Sequence, residues 1–406
     1  MTDEVRDWAS FVVLAAVAMV VTTTAARRFP AWFGQLIVVG MALRIVGSIA
    51  RLEVARQVYR SGDYGRYYRA GLFHADKWWS FDFSGISAWI DGPQWWGTQF
   101  LEVVSGVVLF FIGRTLHGEF LVFAALGYLG LVLIVIGYLR LVGGRGRFVA
   151  YACFLLPSLV YWPSSVGKEA MVLLGLGLAF HGYAVGGRGT LLRIGVGLAL
   201  LASIRPHIAM MIAVALALAE WVQQGRGWTP SRIAQGCALA VVASIVVVAA
   251  FRQFDIEGEY GGDITAFVEE RSARTATGGS AITPIGGPLM IPAAFVNVLF
   301  RPFLWEVRNP VTFLSAVEAL LFWWLVFRHR RGLWRAIRHW RRSRVLRFAL
   351  PAAIVLVIFY GGFISNLGIL ARQRVVVLPL LFIVLDFGRI QTVRTDRPAK
   401  RTGSSR

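Results

Sequence analysis

Five polar stretches interrupt an otherwise apolar sequence, and each holds residue types that act on anions or hydroxyl groups. In the first, Asp63 supplies a carboxylate able to take a proton, with Tyr64, Arg66, Tyr67, Tyr68 and Arg69 around it as stacking faces and guanidinium forks. The second runs Trp162-Pro163-Ser164-Ser165-Val166-Gly167-Lys168-Glu169 and ends where an apolar run begins. Lys168 there can grip a phosphate at a helix start, where the dipole also favours an anion, and Glu169 can act as base or bind a hydroxyl. Arg205-Pro206-His207 is the third, a break in an apolar stretch whose charged and titratable side chains need water or an anion. In the fourth, Arg301 and Glu306 flank Phe303 and Trp305, an arrangement suited to a sugar face. The fifth, Asn366 to Arg374, carries Arg372 and Arg374, whose paired donors suit phosphate or pyrophosphate. Each stretch also has a plainer reading: aromatics anchored at headgroup level, a neutral Lys168–Glu169 pair, arginines reaching lipid phosphates.

The elements that must position these residues are membrane helices. A bilayer-spanning helix needs roughly 20 mostly apolar residues. On that rule apolar runs near 8–26, 31–49, 98–116, 119–140, 148–162, 169–186, 190–204, 207–223, 232–251, 311–327, 348–364 and 374–388 are expected as spans. With a proline-broken segment at 288–304 read as re-entrant or interfacial, the sequence predicts an all-α polytopic transmembrane helix bundle of roughly eleven to thirteen membrane segments. Residues 1–388 form one integral membrane domain with two long polar loops, about 50–97 and 252–287, and residues 389–406 are expected as a disordered basic tail.

Orientation follows from charge. The stretch Arg328–Arg347 holds nine arginines, two histidines and no acid between two apolar runs, so it and the tail are expected in the cytoplasm. Counting back from that hairpin puts 252–310, Trp162–Glu169, Arg205–His207 and Asn366–Arg372 outside. Strict alternation through all the runs places 50–97 inside, in conflict with a site shared by Asp63 and Glu169.

The composition narrows the function classes. A chain that is 57% apolar, with 15 Trp in 406 residues, is lipid-embedded, and most of its +20 net charge lies in the arginine hairpin and the tail. Nucleic acid is therefore not an expected partner, because no soluble domain presents a basic face, whereas membrane lipid is. Both Cys153 and Cys237 sit in apolar runs, which indicates neither a disulfide nor a metal site.

The first loop with Asp63-Tyr64 and Tyr67-Tyr68, the Lys168-Glu169 pair after Trp-Pro-Ser-Ser, and the late Asn366-x-Gly368 with Arg372 and Arg374 resemble bacterial membrane proteins of cell-surface polysaccharide synthesis. The nearest named relatives are integral-membrane glycosyltransferases of the GT-C type, which use polyprenyl-phosphate-linked sugar donors. The resemblance implies catalytic roles for Asp63 and Glu169. It implies donor-phosphate or pyrophosphate contacts for Arg372 and Arg374 and a place in a bacterial inner membrane, and with the residue reading above the expected contacts to the polyprenyl-phosphate-linked sugar are Tyr64, Tyr67, Lys168, Arg205, His207, Arg301, Glu306, Asn366, Arg372 and Arg374. No cofactor is called for. A divalent metal stays open, although the first loop lacks the family's Asp-x-Asp. A polysaccharide polymerase uses similar external arginines, and a flippase of lipid-linked oligosaccharide would need the same cations but no base.

Overall fold

In this computed structural model, residues 3–59, 62–84, 96–222, 270, 273–276, 280–283, 289–308 and 310–395 are described. Much of the 252–287 loop, the 232–251 run and the chain beyond 395 lie outside them. The described residues form helix after helix with no strand, an all-α polytopic bundle. Five helices are long and apolar enough to cross a membrane, or six if one bent pair counts as a span. Among the described residues, the apolar runs at 98–116, 148–162, 169–186, 190–204 and 207–223 fold as shorter or more polar helices where Pro, Gly and charged residues cut them.

The long helices are α1 (Asp3–Ala26), α2 (Ala31–Val54), α5 (Leu116–Leu141), α12 (Pro310–Arg328) and α14 (Arg344–Phe363). Between them lie α3 (Tyr64–Trp79), α4 (Thr98–Ile112), α6 (Arg147–Leu155), α7 (Pro157–Tyr161), α8 (Lys168–Val185), α9 (Thr190–Ile204), α10 (Pro206–Trp221), α11 (Met290–Phe300) and α13 (Arg330–Arg338). The bent pair is α15 (Leu367–Gln373) with its following turn, and α16 (Leu378–Thr395). Helix α16 continues to Thr395, past the boundary expected for a disordered tail at 389.

At the centre α5 and α8 meet through small residues: Gly130 and Gly177 lie backbone to backbone, leaving no room for a Cβ on either. In lipid such close contact supplies packing that the hydrophobic effect does not. Gly175 and Gly197 bring α9 equally close to the other side of α8. The helix that starts with Lys168 and Glu169 is thus gripped on both flanks.

A guanidinium holds the broken helix α6–α7 to α2. Pro157 and Pro163 have no N–H, so the carbonyls of Cys153 and Leu159 four residues earlier lose their helical donors. Ser158 N–H turns instead to Glu318 Oε1 at 2.7 Å, which also frees the Phe154 carbonyl. Arg44, only 1% exposed, donates to all three: Nη2 to Cys153 O at 3.1 Å and Leu159 O at 3.2 Å, and Nη1 to Phe154 O. Its face rests on the Tyr128 ring, 4.7 Å from the centroid.

The packing corrects the expected span at 98–116. His117 Nδ1 is 2.7 Å from Asp7 Oδ2, and His117 Nε2 is 4.0 Å from Glu53 Oε1, so the start of α1, the end of α2 and the start of α5 share one end of the bundle. The chain between α2 and α5 therefore makes no net crossing. Helices α3 and α4 instead run side by side in one direction, tied by Arg66–Glu102 at 2.6 Å, by Ser105 Oγ donating to Tyr67 O at 2.9 Å, and by Arg114–Asp76 at 2.7 Å. With that crossing removed, the described residues that flank Asp63 fall at the same bundle end as 162–169, and the alternation conflict disappears. Helix α14 leads from the arginine hairpin to Ser365 and Asn366, and its 20 residues cover ~30 Å at 1.5 Å each, about the thickness of a bilayer core.

Candidate functional site

At the end of α14 away from the arginine hairpin lies a cavity of about 540 Å³. Breaks between helices build its walls. Arg205 is the single residue between α9 and α10: its N–H still donates to Leu201 O at 2.7 Å, but Pro206 cannot continue the α9 ladder, and Arg205 leaves it with an extended backbone. Gly167, fully extended, ends the Trp162–Val166 loop and releases α8, which places Lys168 and Glu169 in its first turn. Asn366 caps α15 by accepting from Gly368 N at 2.9 Å and Ile369 N at 3.1 Å, and the helix then carries Arg372 to the cavity. Asp63 sits at the N-cap position of α3.

Asp63, Tyr64, Tyr67, Lys168, Glu169, Arg205, His207, Asn366 and Arg372, all candidates from sequence, line this one cavity. The two acids differ sharply. Glu169 is 4% exposed, and its Oε1 meets Arg205 Nη2 at 3.0 Å, Arg372 Nε at 3.3 Å and Gln373 Nε2 at 3.3 Å. Arg205 also donates to Gln373 Oε1. This carboxylate is a hub that ties α8, the α9–α10 break and α15 together. Asp63 is exposed and makes no capping hydrogen bond, and no ion pair joins its side chain to a described residue. Of the cavity's two acids it is the one outside an ion pair with a described residue.

Four cations line the cavity: Arg51, Lys168, Arg205 and Arg372. Glu169 compensates Arg205 and Arg372. Lys168 Nζ contacts the Thr98 hydroxyl at 3.2 Å, and Arg51 lies over Tyr161 and Trp162, 5.1 and 5.0 Å from the ring centroids. Among the described residues neither has a carboxylate within 4 Å. The cavity therefore carries a surplus of positive charge. Tyr67 lies over the same space; burial and then the neighbouring Asp63 carboxylate push its phenol up to about 12, so it stays a proton donor at neutral pH. The Tyr64 ring meets Phe120 edge-on at 5.5 Å, and the His207 ring stacks on Phe359 at 4.9 Å.

Three candidates lie elsewhere. Arg301 and Glu306 pair with each other, Arg301 Nη1 donates to Asn297 at 3.2 Å, and neither lines the cavity. Arg374, 3% exposed, faces the opposite side of its turn from Arg372, donating to Arg301 O at 3.1 Å with Glu318 at 3.8 Å. Sequence reasoning missed Arg51, Thr98 and Gln373. Arg51 ends an apolar run, where an arginine is ordinarily an interfacial anchor, and Gln373 gave no charge signal. No group of three or more His, Cys, Asp or Glu that could hold a metal ion occurs among the described residues. No protein-family model, curated protein or solved structure matches the chain.

Proposed function

We propose that this cavity is the active site of a membrane glycosyltransferase that takes its sugar from a polyprenyl-phosphate donor. The observation that carries the reading is the meeting, in one cavity at a bundle end, of an uncommitted carboxylate, Asp63, with a surplus of cations. In this reading the donor's phosphate rests among Lys168, Arg51 and Arg372, and Tyr67 donates to a sugar or phosphate oxygen. Asp63 takes the proton of the acceptor hydroxyl as its oxygen bonds to the anomeric carbon. The carbon–oxygen bond to phosphate breaks, and polyprenyl phosphate leaves with the electron pair, its charge held by the same cations. Glu169 keeps Arg205 and Arg372 in place and does not act as base.

By the positive-inside tendency the arginine hairpin and the C-terminus are cytoplasmic, and the cavity opens on the outer face of a bacterial plasma membrane, where lipid-linked donors are consumed. A polysaccharide polymerase would use the same atoms with a longer acceptor.

The test is transfer in proteoliposomes loaded with a panel of undecaprenyl-phosphate monosaccharides. Asp63→Asn should bind undecaprenyl phosphate as the wild type does while transfer falls ~100- to 10,000-fold, the usual contribution of a general base. Unchanged transfer in that variant removes Asp63 from the mechanism. Translocation of lipid-linked sugar without any transfer by the wild type replaces the enzyme with a flippase.

A further inference from the structure

The stretch that joins α12 to α14 folds as α13 and is held at a fixed height. Gly332 meets Gly388 of α16 so closely that a Cβ on Gly388 would strike the Gly332 backbone, and Ala336, one turn on, is buried as well. Two residues before Gly388, Asp386 accepts from Tyr138 near the end of α5 at 3.1 Å. At the start of α14, Arg344 donates to Tyr183 O near the end of α8 at 2.7 Å. The arginine hairpin therefore stands level with the ends of α5, α12 and α14, helices long enough to cross a bilayer, which is headgroup depth.

Helical spacing gives α13 two further strips. Gly332 and Ala336 occupy the side against α16; Trp334, 66% exposed, falls opposite them, with Ile337 exposed beside it. Phe327, at the end of α12, is exposed at the same level. Arg331 and Arg338, seven residues apart, form the next strip, and Arg341 and Arg342 lie in the short turn after the helix; all four are exposed. No acid occurs from Arg328 to Arg347, and the one acid of α16, Asp386, is engaged by Tyr138 and by Arg389 at 3.6 Å. Among the described residues no ion pair involves any of the four arginines. An apolar strip edged by uncompensated guanidinium groups suits a bilayer surface, where the aromatics enter the acyl region and the charges meet phosphate. A soluble acidic partner would use the arginines and leave Trp334 and Ile337 in water.

We propose that α13 is an interfacial helix that selects anionic phospholipid. Trp334 and Ile337 enter the leaflet at this end of the bundle, and Arg331, Arg338, Arg341 and Arg342 bind its phosphodiester headgroups. The surface is independent of the proposed transfer reaction, whose cavity lies at the other end of α14 and contains none of these residues. Other exposed arginines at this end, Arg27 and Arg28 after α1 and Arg140 and Arg145 at the end of α5, lie on other elements and supply the comparison.

The experiment is native mass spectrometry of the purified full chain equilibrated with equal amounts of dioleoylphosphatidylglycerol and dioleoylphosphatidylcholine, which share their chains and differ in charge. The wild type should retain the anionic lipid preferentially. Arg331→Gln/Arg338→Gln/Arg341→Gln/Arg342→Gln should lower that preference about fivefold or more, the weight of one basic residue at an anionic surface. Lysine at the same four positions should keep most of it, since the charge remains. Arg27→Gln/Arg28→Gln/Arg140→Gln/Arg145→Gln, which removes as many arginines from the same bundle end, should change it far less. An equal loss in the two glutamine variants makes the attraction diffuse and overturns the assignment, and so does an unchanged preference in the first. Depth is read from a nitroxide on Ile337→Cys in a Cys153→Ala/Cys237→Ala background in nanodiscs. Oxygen should reach the label and a nickel chelate should not; the reverse puts α13 in solvent and overturns the assignment as well.

Discussion

Replacing Glu169 by Gln tests the claim that this acid is a hub and not the base. The substitution keeps shape and hydrogen-bonding atoms but removes the negative charge that Arg205, Arg372 and Gln373 share through one oxygen. Removing one partner of a buried ion pair costs about 3–5 kcal/mol, because the partner stays buried and uncompensated. Here the Arg205 side chain is 10% exposed and that of Arg372 33%, so only the first bears the full cost and solvent screens the second. The expected loss is therefore at the low end, about 3 kcal/mol, read as a shift in equilibrium unfolding of purified protein titrated from dodecyl maltoside into SDS. Adding Arg205→Gln should restore part of it, since contacting charges couple by ~0.5–3 kcal/mol. Undecaprenyl phosphate should stabilise Glu169→Gln more than the wild type, its phosphate replacing the lost charge. Unfolding of Glu169→Gln within about 0.5 kcal/mol of the wild type would refute the hub.

Arg44→Met should be among the most damaging single changes, because three buried carbonyls lose their donor at ~1–3 kcal/mol each; the fraction of monomer surviving detergent extraction reports it, and Arg44→Lys should fall between. Gly177→Val should cost ~1–3 kcal/mol by prising α8 from α5, whereas Gly195→Ala, whose Cβ would meet nothing within 4 Å, should leave thermal unfolding unchanged. Asn366→Ala should lose the α15 cap, ~0.5–2 kcal/mol, and loosen Arg372, so undecaprenyl phosphate binding in nanodiscs should weaken while Arg301→Ala leaves it intact.

The helical architecture and the polar junctions were legible because lipid tolerates charge only where it is used or solvated: Lys168, Glu169, Arg205 and Arg372 stood out against apolar surroundings, and all line one cavity. What local pattern does not encode is direction. The run at 98–116 has the composition of a span, and only its packing against α3 and the return of the chain to Asp7 and Glu53 show that it does not cross. Arg372 and Arg374 have the same sequence signature, yet a single turn of chain sends one into the cavity and the other to Glu318. Nor could residue type separate Asp63 from Glu169, since the distinction lies in which arginines each one meets. Hydropathy also counts apolar residues without showing where proline stops a helix, as at Pro157 and Pro206.

The guanidinium of Arg44 makes residues far apart in the chain depend on one another. On an unbroken α6–α7 helix, each carbonyl would be taken by its own ladder, and an arginine at position 44 would be a stranded charge. Prolines at 157 and 163 without that arginine would strand the carbonyls instead. Either change alone leaves buried polar groups unmatched in a dry interior, so the arginine and the prolines depend on each other. Positions 44, 157 and 163 thus form one structural unit. Grafting the kinked segment onto another membrane protein would fail unless the facing arginine travelled with it.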